Sequence, residues 1–241
     1  MEIEKKYIMR VSRSTLFLFL LVRLISPIQA QSADKLTSEK VTPIDPNRYE
    51  EVKGSPMLFE DFVAANVYEF NDPIIAESLN YNGYTQEFEA ITKGIHTVLE
   101  DKYYTKFEFI STHYNRFYDD FMSDTTLFVR GLNPENSNKF YVLIYSSDDY
   151  VIFKDFKIQL NKRVVESPGK TIDFNEFNPF FNYWILRDGK KLSLLKLNKK
   201  ALLDVLGESK ELSAFIKENK LSVKTEAELK EVMKFHASMA N

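Results

Sequence analysis

Side chains that commonly carry chemistry are sparse in this 241-residue chain. There is no cysteine, which removes thiol catalysis, thiolate metal sites, disulfides and lipid attachment through a cysteine. Three histidines are present, His96, His113 and His236. None has a second His or Cys at metal-ligand spacing, and none sits in a His-Glu-x-x-His pattern. A serine triad would need one of them beside a Gly-x-Ser-x-Gly elbow, and the sequence has no such elbow. Asp119, Asp120 and Asp124 cluster as calcium ligands would, but without the central glycine of a calcium loop, so they read as a solvated acidic face. Paired carboxylates for glycoside cleavage cannot be picked out among 35 acidic residues by spacing alone. The expectation is no catalytic residue, no metal ligand and no cofactor.

Aromatic residues are the stronger signal. Tyr103, Tyr104, Phe107, Phe109, Tyr114, Phe117, Tyr118 and Phe121 form one concentration. Phe174, Phe177, Phe180, Phe181, Tyr183 and Trp184 form another. Most such rings fill half-buried strand faces. The Asn178-Pro179 step interrupts regular structure, which would leave neighbouring rings exposed. Phe177, Phe180, Phe181 and Tyr183 are therefore the candidate partner or ligand surface, since aromatic rings suit interfaces.

The elements that must position these rings are mostly strands. In Tyr103–Ile110, Phe107 and Phe109 alternate with Lys106 and Glu108, the period of a half-buried strand. Lys139–Ser146 is apolar on both faces, as a covered central strand is. Ser147-Asp148-Asp149 supplies a turn, and Tyr150–Leu160 returns. Its apolar phase slips between Phe153 and Phe156, which predicts a bulge or bend at Lys154-Asp155. Asn182–Arg187 and Lys190–Lys196 flank an Asp188-Gly189 hairpin turn. Trp184, beside that turn, is expected to be largely buried.

After Asn198 the pattern becomes helical. Asn198 caps a short helix that Gly207 stops. Leu212, Phe215 and Ile216 recur at helical spacing. Thr225 and Glu228 form a capping box ahead of Leu229, Val232 and Met233. Helices this short need a surface to pack on. The predicted fold is α+β: a mainly antiparallel, curled sheet (meander, sandwich-like or partly open barrel) with two to three C-terminal helices packed on it.

The first 30 residues read as a secretory signal peptide. Lys5, Lys6, Arg10 and Arg13 precede an apolar run from Leu16, and Ala30 supplies the small residue at the exit. The run is too short to span a membrane, and no transmembrane span is expected after the leader is removed. Residues 31–53 read as a poorly ordered lead-in, 54–196 as the β domain and 197–241 as the docked helical segment. Five of the 32 basic and two of the 35 acidic residues lie in the leader, so the remaining chain carries a net charge near −6. That excludes a nucleic-acid partner held by a basic surface. Seven glycines leave little scope for glycine-loop nucleotide binding.

The segments GSPMLFEDF (Gly54–Phe62), LNYNGYTQEFEAI (Leu79–Ile91) and WILRDGKKLSLLKLNKKALLDVLG (Trp184–Gly207), with the FIKENKL and EAELKEVM runs beyond, resemble a family of exported, functionally uncharacterised proteins of Bacteroidota-type Gram-negative bacteria. The resemblance spans residues 54–241. The family's usual Tyr-Tyr-Asn type ending is replaced here by Phe235-His236-Ala237. It implies an envelope location and a β body with a helical tail, and carries no catalytic residues over. The functional expectation is a periplasmic, envelope-associated or secreted non-enzymatic protein that binds an envelope protein or glycan. The rivals are a carboxylate-dependent hydrolase of cell-wall or glycan substrates and a carrier of a small apolar ligand inside the curled sheet.

Overall fold

The structure is a computed structural model that describes residues 40–69, 73–109, 125–207 and 209–239, together with the backbone of two short strands between 114 and 121. The leader, His113, Phe117, Tyr118, Asp119, Asp124 and the side chains of Tyr114, Asp120 and Phe121 lie outside the described residues.

The strands are β1 (Val41–Pro43), β2 (Val52–Lys53), β3 (Val63–Tyr68), β4 (Pro73–Asn82), β5 (Glu87–Thr92), β6 (Ile95–Leu99) and β7 (Lys106–Phe109). They continue with β8 (Tyr114–Asn115), β9 (Asp120–Phe121), β10 (Thr126–Arg130), β11 (Phe140–Ser146), β12 (Tyr150–Ser167), β13 (Lys170–Arg187) and β14 (Lys191–Leu195). Three helices close the chain: α1 (Lys199–Leu206), α2 (Lys210–Glu218) and α3 (Glu226–Met239). Twelve strands form one sheet in the order β1-β6-β5-β4-β3-β7-β10-β11-β12-β13-β14, with β2 beside β13; β8 and β9 pair separately. Every pairing is antiparallel except β2 with β13. The fold is α+β, with an unclosed, curled sheet. Ordered pairing begins earlier than the expected boundary at residue 54, because β1 joins β6 and β2 joins β13.

Curling brings distant strands together at one glycine. The Gly83 carbonyl, in the β4–β5 turn, accepts the Ile158 amide of β12 at 2.8 Å. A Cβ at Gly83 would lie 2.5 Å from Phe156 Cε1 and 2.8 Å from Ile158 Cγ1. Close approach of two backbones is what requires glycine there.

The core is aromatic. Phe88 stacks on Phe107 at 3.5 Å between centroids, and Tyr81 sits 4.6 Å from Phe128. Phe107 and Phe109 are fully buried, as their alternation predicts, and Phe140 packs edge-on against Phe88 and Phe107. The sheet's inner face is thus filled by its own rings. A smaller cluster on the other face joins Tyr141, Phe153 and Leu186, flanked by Val151, Trp184 and Leu192. Trp184 is half-buried there, not fully enclosed.

Two sequence expectations change. There is no bulge at Lys154-Asp155: β12 pairs with β13 in continuous register from Tyr150 to Ser167, and the irregularity falls on β11 between Leu143 and Tyr145. The apolar phase slips in the sequence because β12 is covered on both faces, odd residues by the outer cluster and even residues by the main core. The second change is at Asn178-Pro179, which lies inside β13, opposite Gln159 and Ile158. The Ile158 amide points away from β13, so Ile158 and Pro179 form a pair without ladder hydrogen bonds. Proline is tolerated because its nitrogen faces the other edge.

The helices are capped as the sequence indicates. Asn198 accepts from the Ala201 amide at 2.8 Å, and Gly207 ends α1 at φ +86°. Thr225 Oγ1 accepts from the Glu228 amide while Glu228 accepts from the Thr225 amide. Leu212, Ile216, Leu229, Val232 and Met233 are buried in the main core, and Phe215 stacks on Phe235 at 4.0 Å. The helices are therefore one packing unit with the sheet. No helix among the described residues is long and apolar enough to cross a membrane.

Candidate partner-binding groove

Strand β13 alternates its residues between the two sheet faces, and this parity divides the candidate rings. Phe177, Phe181 and Tyr183 lie on the face that carries the helices, whereas Phe180 lies on the opposite face. Phe177 is buried, held edge-on by Tyr49 at 5.3 Å and tilted against Tyr84 at 5.3 Å. It is a packing residue at the base of the β12–β13 hairpin. Phe180 is 43% exposed and stands alone from the other three.

Phe181 and Tyr183 meet at 5.6 Å, edge to face. They line an open groove of about 390 Å³ with Asn182, Leu194, Leu195, Lys196, Leu197 and Lys224. The groove runs along the β13 edge where β14 ends. Phe181 is 37% exposed, and Leu195, opposite Tyr183, shares its face; Leu194, opposite Trp184, turns to the other face and meets the groove only at the strand edge. Two lysines at the rim give it an apolar floor with cationic margins.

Beneath the groove sits an ionic network. Glu226, in the first turn of α3, accepts from Lys154 Nζ at 2.6 Å and from the Tyr183 hydroxyl at 2.7 Å. The Lys154 side chain is only 7% exposed. Burial works against ionisation of Glu226, but Lys154 and then Tyr183 outweigh it and hold the carboxyl below the usual range. The position at a helix N-terminus favours the same ionised state. Lys154 also lies 6.0 Å from the Phe181 ring and 5.9 Å from the Tyr183 ring. The network fixes the groove's rings between sheet and helix. On the other face Asp155 pairs with Lys139 at 2.6 Å, so the adjacent charges of β12 each have a partner.

Sequence reasoning singled out Phe181 and Tyr183 but missed Lys224, Lys154 and Glu226. A signal existed: a lysine and an aspartate inside an otherwise apolar strand require buried ionic partners. The partner of Lys154 comes from a helix 72 residues away, which spacing does not reveal.

Among the described residues, four carboxyls are shifted from their ordinary values, and all four are held down. Asn66 and Tyr68 hold Glu108 down. At Glu176 burial is outweighed by Arg163 and Lys53, and at Glu228 by the amides and hydroxyl of residues 222–225. A general acid needs a raised value. Among the described residues, no group of three or more His, Asp or Glu is placed to hold a metal. His96 lies edge-on to Phe62 and His236 edge-on to Tyr150, both as ring-packing residues. Comparison with known protein families, characterised proteins and solved structures finds no match for this chain.

Proposed function

We propose that this chain is an exported envelope protein whose role is binding, with the Phe181–Tyr183 groove as the contact surface for an envelope protein or glycan. The observation that carries the proposal is the pairing of an exposed aromatic ring with a rigid base. Phe181 stays open to solvent, while its neighbour Tyr183 is held from below by Glu226. A pre-organised aromatic surface binds with less entropy loss than a mobile one. Sugar faces and apolar peptide side chains both stack on such rings. The leader-like first 30 residues and the resemblance to exported proteins support the envelope location.

The direction of the carboxyl shifts weighs against the hydrolase reading, and the filled inner face weighs against an apolar ligand carried within the sheet.

The test is a Phe181→Ala/Lys224→Glu double variant, compared with the native chain in its own envelope. Native protein should retain a specific protein or glycan-strand partner. The double variant should lose it while melting within a few degrees of the native chain. Release of soluble cell-wall fragments by the purified native chain would overturn the binding reading. For the location, the envelope-resident protein should begin near Gln31; an unprocessed chain confined to the cytoplasm would overturn it.

A further inference from the structure

The hairpin of β12 and β13 continues well past the body of the sheet. From Gln159 to the Pro168-Gly169 turn it runs about 30 Å; β2 lies against the far edge of β13 at Asn175 and Glu176, and beyond Lys162 the hairpin is a two-stranded ribbon. Val164 is 56% exposed, Val165 47% and Ile172 41%. Ribbons of two strands are marginal in water by themselves. Strand β11 pairs with β12 only as far as Lys154, and beyond Ile158 the outer edge of β12 meets no strand among the described residues. We propose that this edge pairs with the same edge of a second copy of the chain, antiparallel about a two-fold axis at Val164.

Backbone direction supports this register. The Ile158 amide points outward from β13 to reach Gly83. Residues of the same parity point the same way, so Leu160, Lys162, Val164 and Glu166 direct their amide and carbonyl groups to the open edge. An axis at Val164 sets Val164 against its own copy and Lys162 against Glu166 of the second copy. All these positions are hydrogen-bonding ones, so the ladder is continuous from Lys162 to Glu166.

Charge selects among the registers. Centring on Val164 creates two Lys162–Glu166 contacts across the axis. Centring on Lys162, Arg163 or Glu166 opposes like charges, which is unfavourable in directly facing positions. Centring on Val165 faces Lys162 with Pro168, which has no amide proton. Lysine on an open edge ordinarily deters pairing. Here Glu166, four residues on, makes the edge complementary to itself. The two Ile158 residues would stand about 40 Å apart, so the bodies are well separated. The contact is short, which makes this a weak, concentration-dependent dimer.

Sedimentation equilibrium of the purified full chain across the micromolar range tests the proposal. A monomer–dimer equilibrium is expected. Lys162→Glu and Glu166→Lys should each weaken it by about tenfold or more, and the double charge swap should restore it. Lys162 also pairs with Asp173 in its own arm at 2.9 Å. The double swap keeps that local loss while repairing the contact across the axis, so restoration separates the two effects. A chain that stays monomeric at high micromolar concentration, single variants that dimerise like the native chain, or a double swap that fails to restore pairing would each overturn the proposal.

Discussion

Lys154 of β12 and Glu226 of α3 meet at 2.6 Å, and this contact ties the C-terminal helix to the middle of the sheet. Lys154 is nearly enclosed, while Glu226 keeps 27% of its side chain exposed. Isolated surface ion pairs contribute little, but losing one partner of an enclosed pair strands a desolvated charge.

Glu226→Gln should therefore cost about 2–3 kcal/mol at neutral pH. The sign with pH follows from the lowered Glu226 value. A depressed folded-state value gives stability that is full above the ordinary carboxyl value of 4.5 and fades as pH falls through the lower folded value. Chemical denaturation of both chains at several pH values should show a gap that is constant from neutral down to about pH 5 and shrinks below it. A gap independent of pH would contradict the ionic account.

Gly83→Ala tests the curl of the sheet. The added methyl would fall within 2.5 Å of Phe156 Cε1 and 3.2 Å of the Ile158 nitrogen. Phe156 is buried and Ile158 is fixed by its hydrogen bond to residue 83, so neither has free room to retreat. The variant should lose about 2–3 kcal/mol by overpacking. Unchanged thermal stability would mean that the β4–β5 turn does not rest on β12.

Tyr104 offers the opposite case. Its side chain is buried and its hydroxyl has no hydrogen-bond partner among the described residues. Burial, with Glu69 and Glu100 nearby, pushes its pKa up to about 12. Removing an unsatisfied buried hydroxyl while keeping the ring should be favourable. Tyr104→Phe is expected to raise stability by about 1 kcal/mol, read from the denaturant midpoint at constant slope. A comparable loss would show that the hydroxyl is satisfied.

Local rules made much of this fold legible. Period-two alternation gave Phe107 and Phe109 their buried face, Asp188-Gly189 its turn, and Asn198 and Thr225 their caps. What escaped the sequence were relations that depend on two distant strands. Pro179 reads as a breaker until the outward amide of Ile158 shows that its pair needs no ladder bond. Lys154-Asp155 reads as a bulge until each charge finds a partner on its own face. Half of the candidate surface was visible for the same reason. Phe181 and Tyr183 share a parity that the strand register confirms, whereas Phe177 is enclosed by Tyr49 from a segment expected to be a loose lead-in. Leu194 enters the groove only through its place on the β14 edge.

We propose that the Phe181–Tyr183 groove is occupied in the native host, and site-specific photo-cross-linking from position 224, at its rim, reads that occupancy. A discrete adduct from position 224, lost on Phe181→Ala, is expected, with none from a control cross-linker at Ile95, an exposed apolar residue on β6 near the far end of the sheet. No adduct at position 224, or the same adducts from position 95, would rule it out.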